Sequence, residues 1–140
     1  MPYKVNNKGS LVPDTSVITW QTGQSVNGIA SGNRAVYKTT LGKIEVVDGN
    51  EDPTIEFVGI TDGNAVAAGG TVTYMPVGGF IDPLTSVFAV SSVELWAKED
   101  GSLVDFSGVG SGKWTRRVGV LVEPGSTKLE VQAGEHIFKQ

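Results

Sequence analysis

The sequence predicts an all-β protein: a small barrel or sandwich built from two similar β units, with an extended N-terminal arm. Three observations predict it. Nineteen glycines and six prolines fall singly between short apolar–polar alternations, which is how an all-β chain punctuates its turns. No segment keeps a helical period over about eleven residues. The stretch from Ala35 to Val77 is also repeated, strand for strand and turn for turn, between Ser92 and Ala133.

The repeat can be stated by residue. Tyr37 matches Trp96, Gly42 matches Gly101, Ile44 matches Leu103 and Gly49 matches Gly108, all at an offset of 59. Val58–Gly59–Ile60 then matches Val118–Gly119–Val120 at an offset of 60, and TVTYMPVGG faces TKLEVQAGE at a shorter one. Two copies imply two similar sheet units packed together. The expected division is an arm over residues 1–33 and a β domain over 34–140, with repeats at about 35–79 and 93–134.

Residues 1–33 are rich in Asn, Gly, Ser, Thr and Gln, which favour turns and extended backbone. Within them only Ser16–Trp20 reads as a short strand. An arm of this kind cannot build its own core. Leu11, Val12, Val17 and Trp20 would be costly to leave in water, so they are the expected protein contacts. The plainer alternative is a first strand and its lead-in.

From Arg34 the alternation is clear. Arg34–Lys38 and Lys43–Val47 flank a turn at Gly42, and Asp48–Pro53 is a loop. Thr54–Ile60 leads through an Asp62–Gly63–Asn64 turn towards Thr71–Val77, where Val72, Tyr74 and Pro76 share a face. Pro76 cannot donate to a ladder, so this strand ends or lies at an edge there. Asp82–Ser91 crosses between the halves, with room for one helical turn after Pro83. Val93–Lys98 and Ser102–Phe106 flank the Asp100–Gly101 hairpin signal. Lys113–Val122 follows, its Trp114, Arg116, Val118, Val120 and Val122 on one face by the two-residue period. Glu123–Ser126 carries the proline and glycine of a type II turn. Lys128–Ala133 alternates with Leu129, Val131 and Ala133 inward, and His136–Phe138 closes the chain.

At 140 residues a single domain buries roughly two thirds of its unfolded surface. Cysteine is absent, which excludes disulfides and thiolate metal sites. The net charge is −4 with mixed signs, and the one basic cluster, Lys113–Arg116–Arg117, lacks the stripe of a nucleic-acid binder. No apolar run approaches a membrane span of about 20 residues. The first ten residues, MPYKVNNKGS, are polar and carry no signal-peptide core.

No constellation meets the requirements of catalysis, cofactor or metal binding. Ser107–Trp114 (SGVGSGKW) has Ser and Trp where a phosphate-binding loop needs Gly and Ser or Thr, and a strand follows it; it reads as a flexible loop. Asp48–Asp52 (DGNED) alternates oxygen donors, but Pro53 stands where a calcium loop needs Gly. His136 is the single histidine, no carboxyl lies in an apolar signature, and no serine sits in a nucleophile elbow. The expectation is therefore a non-enzyme without cofactor or metal. Trp96 reads as core because Tyr37 matches it. Trp20, with Trp114, could form an exposed stacking platform.

The chain resembles the small capsid decoration (cement) proteins of tailed bacteriophages, a glycine-rich β-barrel family. The likeness is carried by Val58–Ile60 (VGI), Ala67–Tyr74 (AAGGTVTY), Gly79–Phe80, Val93–Leu103 (VELWAKEDGSL) and Arg116–Gly134 (RRVGVLVEPGSTKLEVQAG). It covers about residues 35–134, and the polar segment before residue 34 is longer than the shortest members have. The resemblance implies a virion structural protein on the outer capsid surface. It implies the major capsid protein and itself, as a homotrimer, for partners, and neither nucleic acid nor membrane. A fibre or tail module binding a receptor or carbohydrate is the alternative, and a baseplate or tail-tube assembly protein would share the same fold logic.

Overall fold

The structure, a computed structural model, describes residues 3–5, 9, 11–13, 18–47, 56–85 and 93–140, with the backbone alone for 3–5 and 11–13. The described chain is all-β. A hairpin of β1 (Tyr3–Val5) and β2 (Leu11–Pro13) comes first. Then follow β3 (Gln21–Gln24), β4 (Ala35–Lys38), β5 (Ile44–Val46), β6 (Glu56–Thr61), β7 (Thr71–Pro76) and β8 (Phe80–Ile81). The second half holds β9 (Glu94–Ala97), β10 (Leu103–Val104), β11 (Lys113–Leu121), β12 (Leu129–Val131) and β13 (His136–Lys139). The first sheet runs β3-β7-β6-β4-β5, and the second β10-β9-β11-β12-β8 with β13 also on β11, all antiparallel.

The two sheets share an order: β5-β4-β6-β7 in one stands where β10-β9-β11-β12 stands in the other. They also share an irregularity. Val36 pairs with Gly59 and Tyr37 with Phe57, so Val58 is skipped. Leu95 pairs with Gly119 and Trp96 with Arg117, so Val118 is skipped. Each sheet therefore carries a β-bulge at the same place in its strand order, and a bulge bends a strand and deepens its twist.

The glycine after each bulge is there for space. A Cβ on Gly59 would lie 2.1 Å from the Met75 carbonyl oxygen, and one on Gly119 would lie 2.7 Å from Cδ1 of Leu129. At Gly59 it is the backbone of the next strand that leaves no room, at Gly119 the Leu129 side chain. Beyond this point the sequence alignment slips. The pairings Gly59↔Pro76 and Gly119↔Val131 equate Pro76 with Val131, one residue away from the match of TVTYMPVGG to TKLEVQAGE. The sequence match had set Gly78 against Gly134, whereas the strand pairing sets Gly79 there.

The first sheet has two apolar faces. One packs on the second sheet, joining Ala35, Phe57, Ile60 and Met75 to Leu95, Val118, Leu121, Leu129 and Val131. The other curls around Ile29, Val36, Ile44 and Val72. The curl is drawn shut by a bridge between Ser25 and Ile44, where Val26 N–H donates to the Ile44 carbonyl at 3.1 Å. Gly23 makes that possible, since a Cβ there would come 2.6 Å from Cγ1 of Ile44. Fully buried Ile and Leu side chains each contribute about 1.5–3 kcal/mol by leaving water.

Several expectations change. The arm reading ends early: the segment from Gln21 belongs to the first sheet as β3, and Ile29 is core. Of the expected strand Ser16–Trp20, Ser16 and Val17 lie outside the described residues and Ile18–Trp20 is not strand, while β1 and β2 are strands that the arm reading did not contain. The five-residue face expected along β11 is broken by the bulge. Thr115, Val118 and Leu121 are buried, while Val122 is 55% exposed. Ala133 is exposed rather than inward. Pro76 does end β7. The helical turn expected after Pro83 falls largely on residues outside those described. Leu84 is core, and Thr85 N–H donates to Asn33 Oδ1 at 2.8 Å.

The two bulge glycines should differ on substitution. Gly59→Ala meets backbone, which cannot step aside, and should cost more than about 3 kcal/mol, beyond ordinary overpacking. Gly119→Ala meets the movable end of Leu129 and should cost about 1–3 kcal/mol. Urea denaturation of both variants measures the difference; equal costs would contradict the geometry.

Candidate interaction surface

The residues singled out by sequence scatter. Leu11 and Val12 lie on β2, opposite Val5 and Lys4 of β1, and their side chains are outside the described residues, as is the whole of Val17. Trp20 precedes β3 and is 42% exposed. Beside it the structure adds residues that periodicity does not flag. Ile18 is also 42% exposed and Val77 37%. Ile18 lies over the turn after β7, so that a Cβ on Gly78 would come 2.8 Å from its Cδ1. Tight glycines in a turn are thus a floor for an apolar side chain from the incoming segment. The signal that could have shown this is the Gly78–Gly79 pair itself, read as a receptacle as well as a turn.

Hollows open on the surface among the described residues. One of about 400 Å³ lies at the mouth of the curled first sheet, with Gln21 and Glu56 around Val58, Tyr74 and Pro76. A second, about 220 Å³, has Asn33, Arg34, Thr85 and Ser102 on its walls. A third, about 370 Å³, lies by Trp96, Arg117, Glu135 and Ile137. In none of them do two carboxylates converge, and no metal-ligating cluster of three or more His, Cys, Asp or Glu occurs among the described residues. The Asp48–Asp52 stretch lies outside the described residues.

The glycine loop before β11 has its donors committed. Gly108 N–H donates to Asp105, Gly110 N–H to Glu99 Oε2 at 3.3 Å, and Gly112 N–H to the Lys139 carbonyl at 2.7 Å. Lys139 Nζ returns to the carbonyls of Phe106 and Val109 at 2.9 and 2.7 Å. Far from hanging free, Ser107–Gly112 is a short 3-10 turn (Phe106–Gly108) and a second turn, fastened from both sides. The N–H groups that a phosphate would need are already bonded.

The basic cluster is committed too. Arg116 is buried to 9% exposure with its guanidinium 5.7 Å from the Phe57 ring, and Arg117 Nη1 lies 3.1 Å from Glu94 Oε1. Trp114 packs against Phe138 and His136, with ring centres 5.4 and 5.0 Å apart. Trp96, expected as core, is half-buried against Phe106 at 4.8 Å. Trp114 lies on β11 of the second sheet, and Trp20 just before β3 of the first.

The hairpin between β9 and β10 ties the halves together. Gly101 takes a φ of +80° that only glycine adopts easily. Its carbonyl accepts from Ala35 N–H at 2.8 Å, and Arg34 Nη1 lies 3.3 Å from Asp100 Oδ2. Burial pushes the Asp100 carboxyl up. The Ser102 hydroxyl and N–H, with Arg34, outweigh this and hold it below the usual carboxylate range. Glu99 shifts the same way through its own N–H and that of Gly110.

A depressed folded pKa stabilises above the unfolded value and is lost as pH falls through the folded one. Thermal melts should therefore fall away below about pH 4, and Asp100→Asn should flatten that acid limb. An unchanged limb would show that this hairpin contributes nothing to acid sensitivity.

No family model, curated protein or solved structure matches the chain.

Proposed function

We propose that this protein is a structural decoration protein that binds the outer surface of a tailed-phage capsid, bridges major capsid subunits, and so stiffens the shell. The observation that carries the reading is the apolar edge of the first sheet. Ile18 and Trp20 are exposed on the segment that leads into β3, and Val77 is exposed next to the Gly78 turn that Ile18 covers. Binding to a repeated lattice needs a rigid module with an apolar contact, because each copy must bury surface without paying to reorganise. The cysteine-free composition and the strand pattern shared with decoration proteins support the same reading, and itself and the major capsid protein are the proposed partners.

The structure sharpens the deletion that tests it. Removing residues 1–32 would take β3 and Ile29 out of the fold, so the informative truncation is 1–17. Full-length protein should co-sediment with heads assembled from the cognate major capsid protein without it. The 1–17 truncation and Trp20→Ala should each lose at least about tenfold in affinity, with melting curves kept near those of the intact chain. Heads that ignore the full-length protein would overturn the reading. Glycan-array binding in place of head binding would support the fibre alternative.

A further inference from the structure

The hollow of about 370 Å³ on the second sheet is lined by Trp96, Arg117, Gly134, Glu135 and Ile137, and sites for small ligands run to about 300–1,000 Å³. The strand ladder assembles it. Leu95 and Ala97 are core, so Trp96 between them points to the outer face of β9. Arg117 of β11 stands directly opposite Trp96, which puts ring and guanidinium side by side. The link from β12 to β13 then closes against Arg117. Gly134 N–H donates to the Arg117 carbonyl at 2.8 Å, and a Cβ on Gly134 would lie 2.9 Å from that oxygen. This close approach brings Glu135 and Ile137 to the side of the hollow.

The walls are held before any ligand arrives. Trp96 leans on Phe106 with ring centres 4.8 Å apart, and the Lys139 ammonium lies 4.8 Å from the Phe106 ring centre. Arg117 Nη1 donates to Glu94 Oε1 at 3.1 Å. That bond takes one of the five N–H groups of the guanidinium, and the side chain is 36% exposed. Walls already in place spare a ligand the cost of ordering them.

We infer that this hollow binds a neutral pyranose sugar. Charge decides the class of ligand. An anion meets the Glu135 carboxylate, with Glu94 behind Arg117, and a cation meets Arg117. A neutral polyhydroxyl ring suits both signs at once: its oxygens accept from the guanidinium, and its hydroxyls donate to Glu135. One face of such a ring is made of C–H groups, for which Trp96 and Ile137 supply apolar surface away from water. The other hollows lack this combination among the described residues. No aromatic ring lines the one at Asn33 and Arg34, and no cation lines the one at the mouth of the first sheet. The inference does not depend on capsid binding, whose proposed contact, Trp20, lies by the first sheet.

Nuclear magnetic resonance of the full chain tests it, with the indole N–H signals of the three tryptophans as reporters. The probes are glucose, galactose, mannose and N-acetylglucosamine, with glucosamine and N-acetylneuraminic acid as cationic and anionic counterparts. At least one neutral sugar should shift the Trp96 signal saturably, with a dissociation constant of about 1–10 mM. Neither charged sugar should bind more tightly. Glu135 is exposed, so Glu135→Ala should keep the melting curve and weaken that sugar at least about tenfold. Trp20→Ala should leave sugar binding unchanged while it weakens head binding, which separates the two readings. No saturable shift at Trp96 with any of the neutral sugars, or tighter binding of a charged one, would overturn the proposal. So would a shift confined to Trp20 or Trp114, or binding indifferent to Glu135→Ala.

Discussion

Everything in this fold depends on how closely the backbone of β7 passes Gly59 and how closely β12 passes Gly119. A Cβ at Gly59 would strike the Met75 carbonyl and one at Gly119 the Leu129 side chain, and each glycine follows a skipped valine in the strand ladder. The bulge turns the strand and the glycine lets the neighbour follow. Val58 and Val118 are therefore more than repeated letters. They mark the point where each sheet changes which residues face inward, which is why Val118 and Leu121 are both core.

The same bend explains why the halves differ despite their common order. In the first half the sheet curls until Ser25 meets Ile44, enclosing a small core of its own. The second stays open and uses β13 to extend the flank of β11. The open half supplies most of the inter-sheet core, and the curled half contributes the other side of it. Hydrogen bonds across the seam then fix the two relative to each other: Ala35 to Gly101, Arg34 to Asp100, and Thr85 to Asn33. Buried polar groups such as Asn33, whose Nδ2 donates to the Thr61 carbonyl at 2.8 Å, make that arrangement specific because leaving them unpaired would be costly.

Charge is spent on structure over much of the second sheet. Arg116, Arg117 and Lys139 lie close together along β11 and β13, yet each holds a ring, a carboxylate or carbonyls of this chain. Apolar groups stay exposed on both halves, at Ile18, Trp20 and Val77 by the first sheet and at Phe80, Val122 and Phe138 by the second. Cations bonded within the chain and apolar groups left exposed favour contact with other proteins over contact with phosphate, since contact chemistry follows the groups left uncommitted.

Residue pattern alone determined the strand content, the turns at Gly101 and Pro124–Gly125, the two-copy organisation at offsets of 59 and 60, and Pro76 as a strand end. These follow from short-range rules: alternation, φ preference and the missing N–H of proline. Tertiary structure alone decided that residues from Gln21 join the first sheet, that Ile29 is core, that one sheet curls and the other does not, and that Gly78 receives Ile18. Bulges shift the two-residue period partway along a strand, and glycines serve turns and close contacts with the same letter. Neither can be told apart until the neighbouring strand is in place.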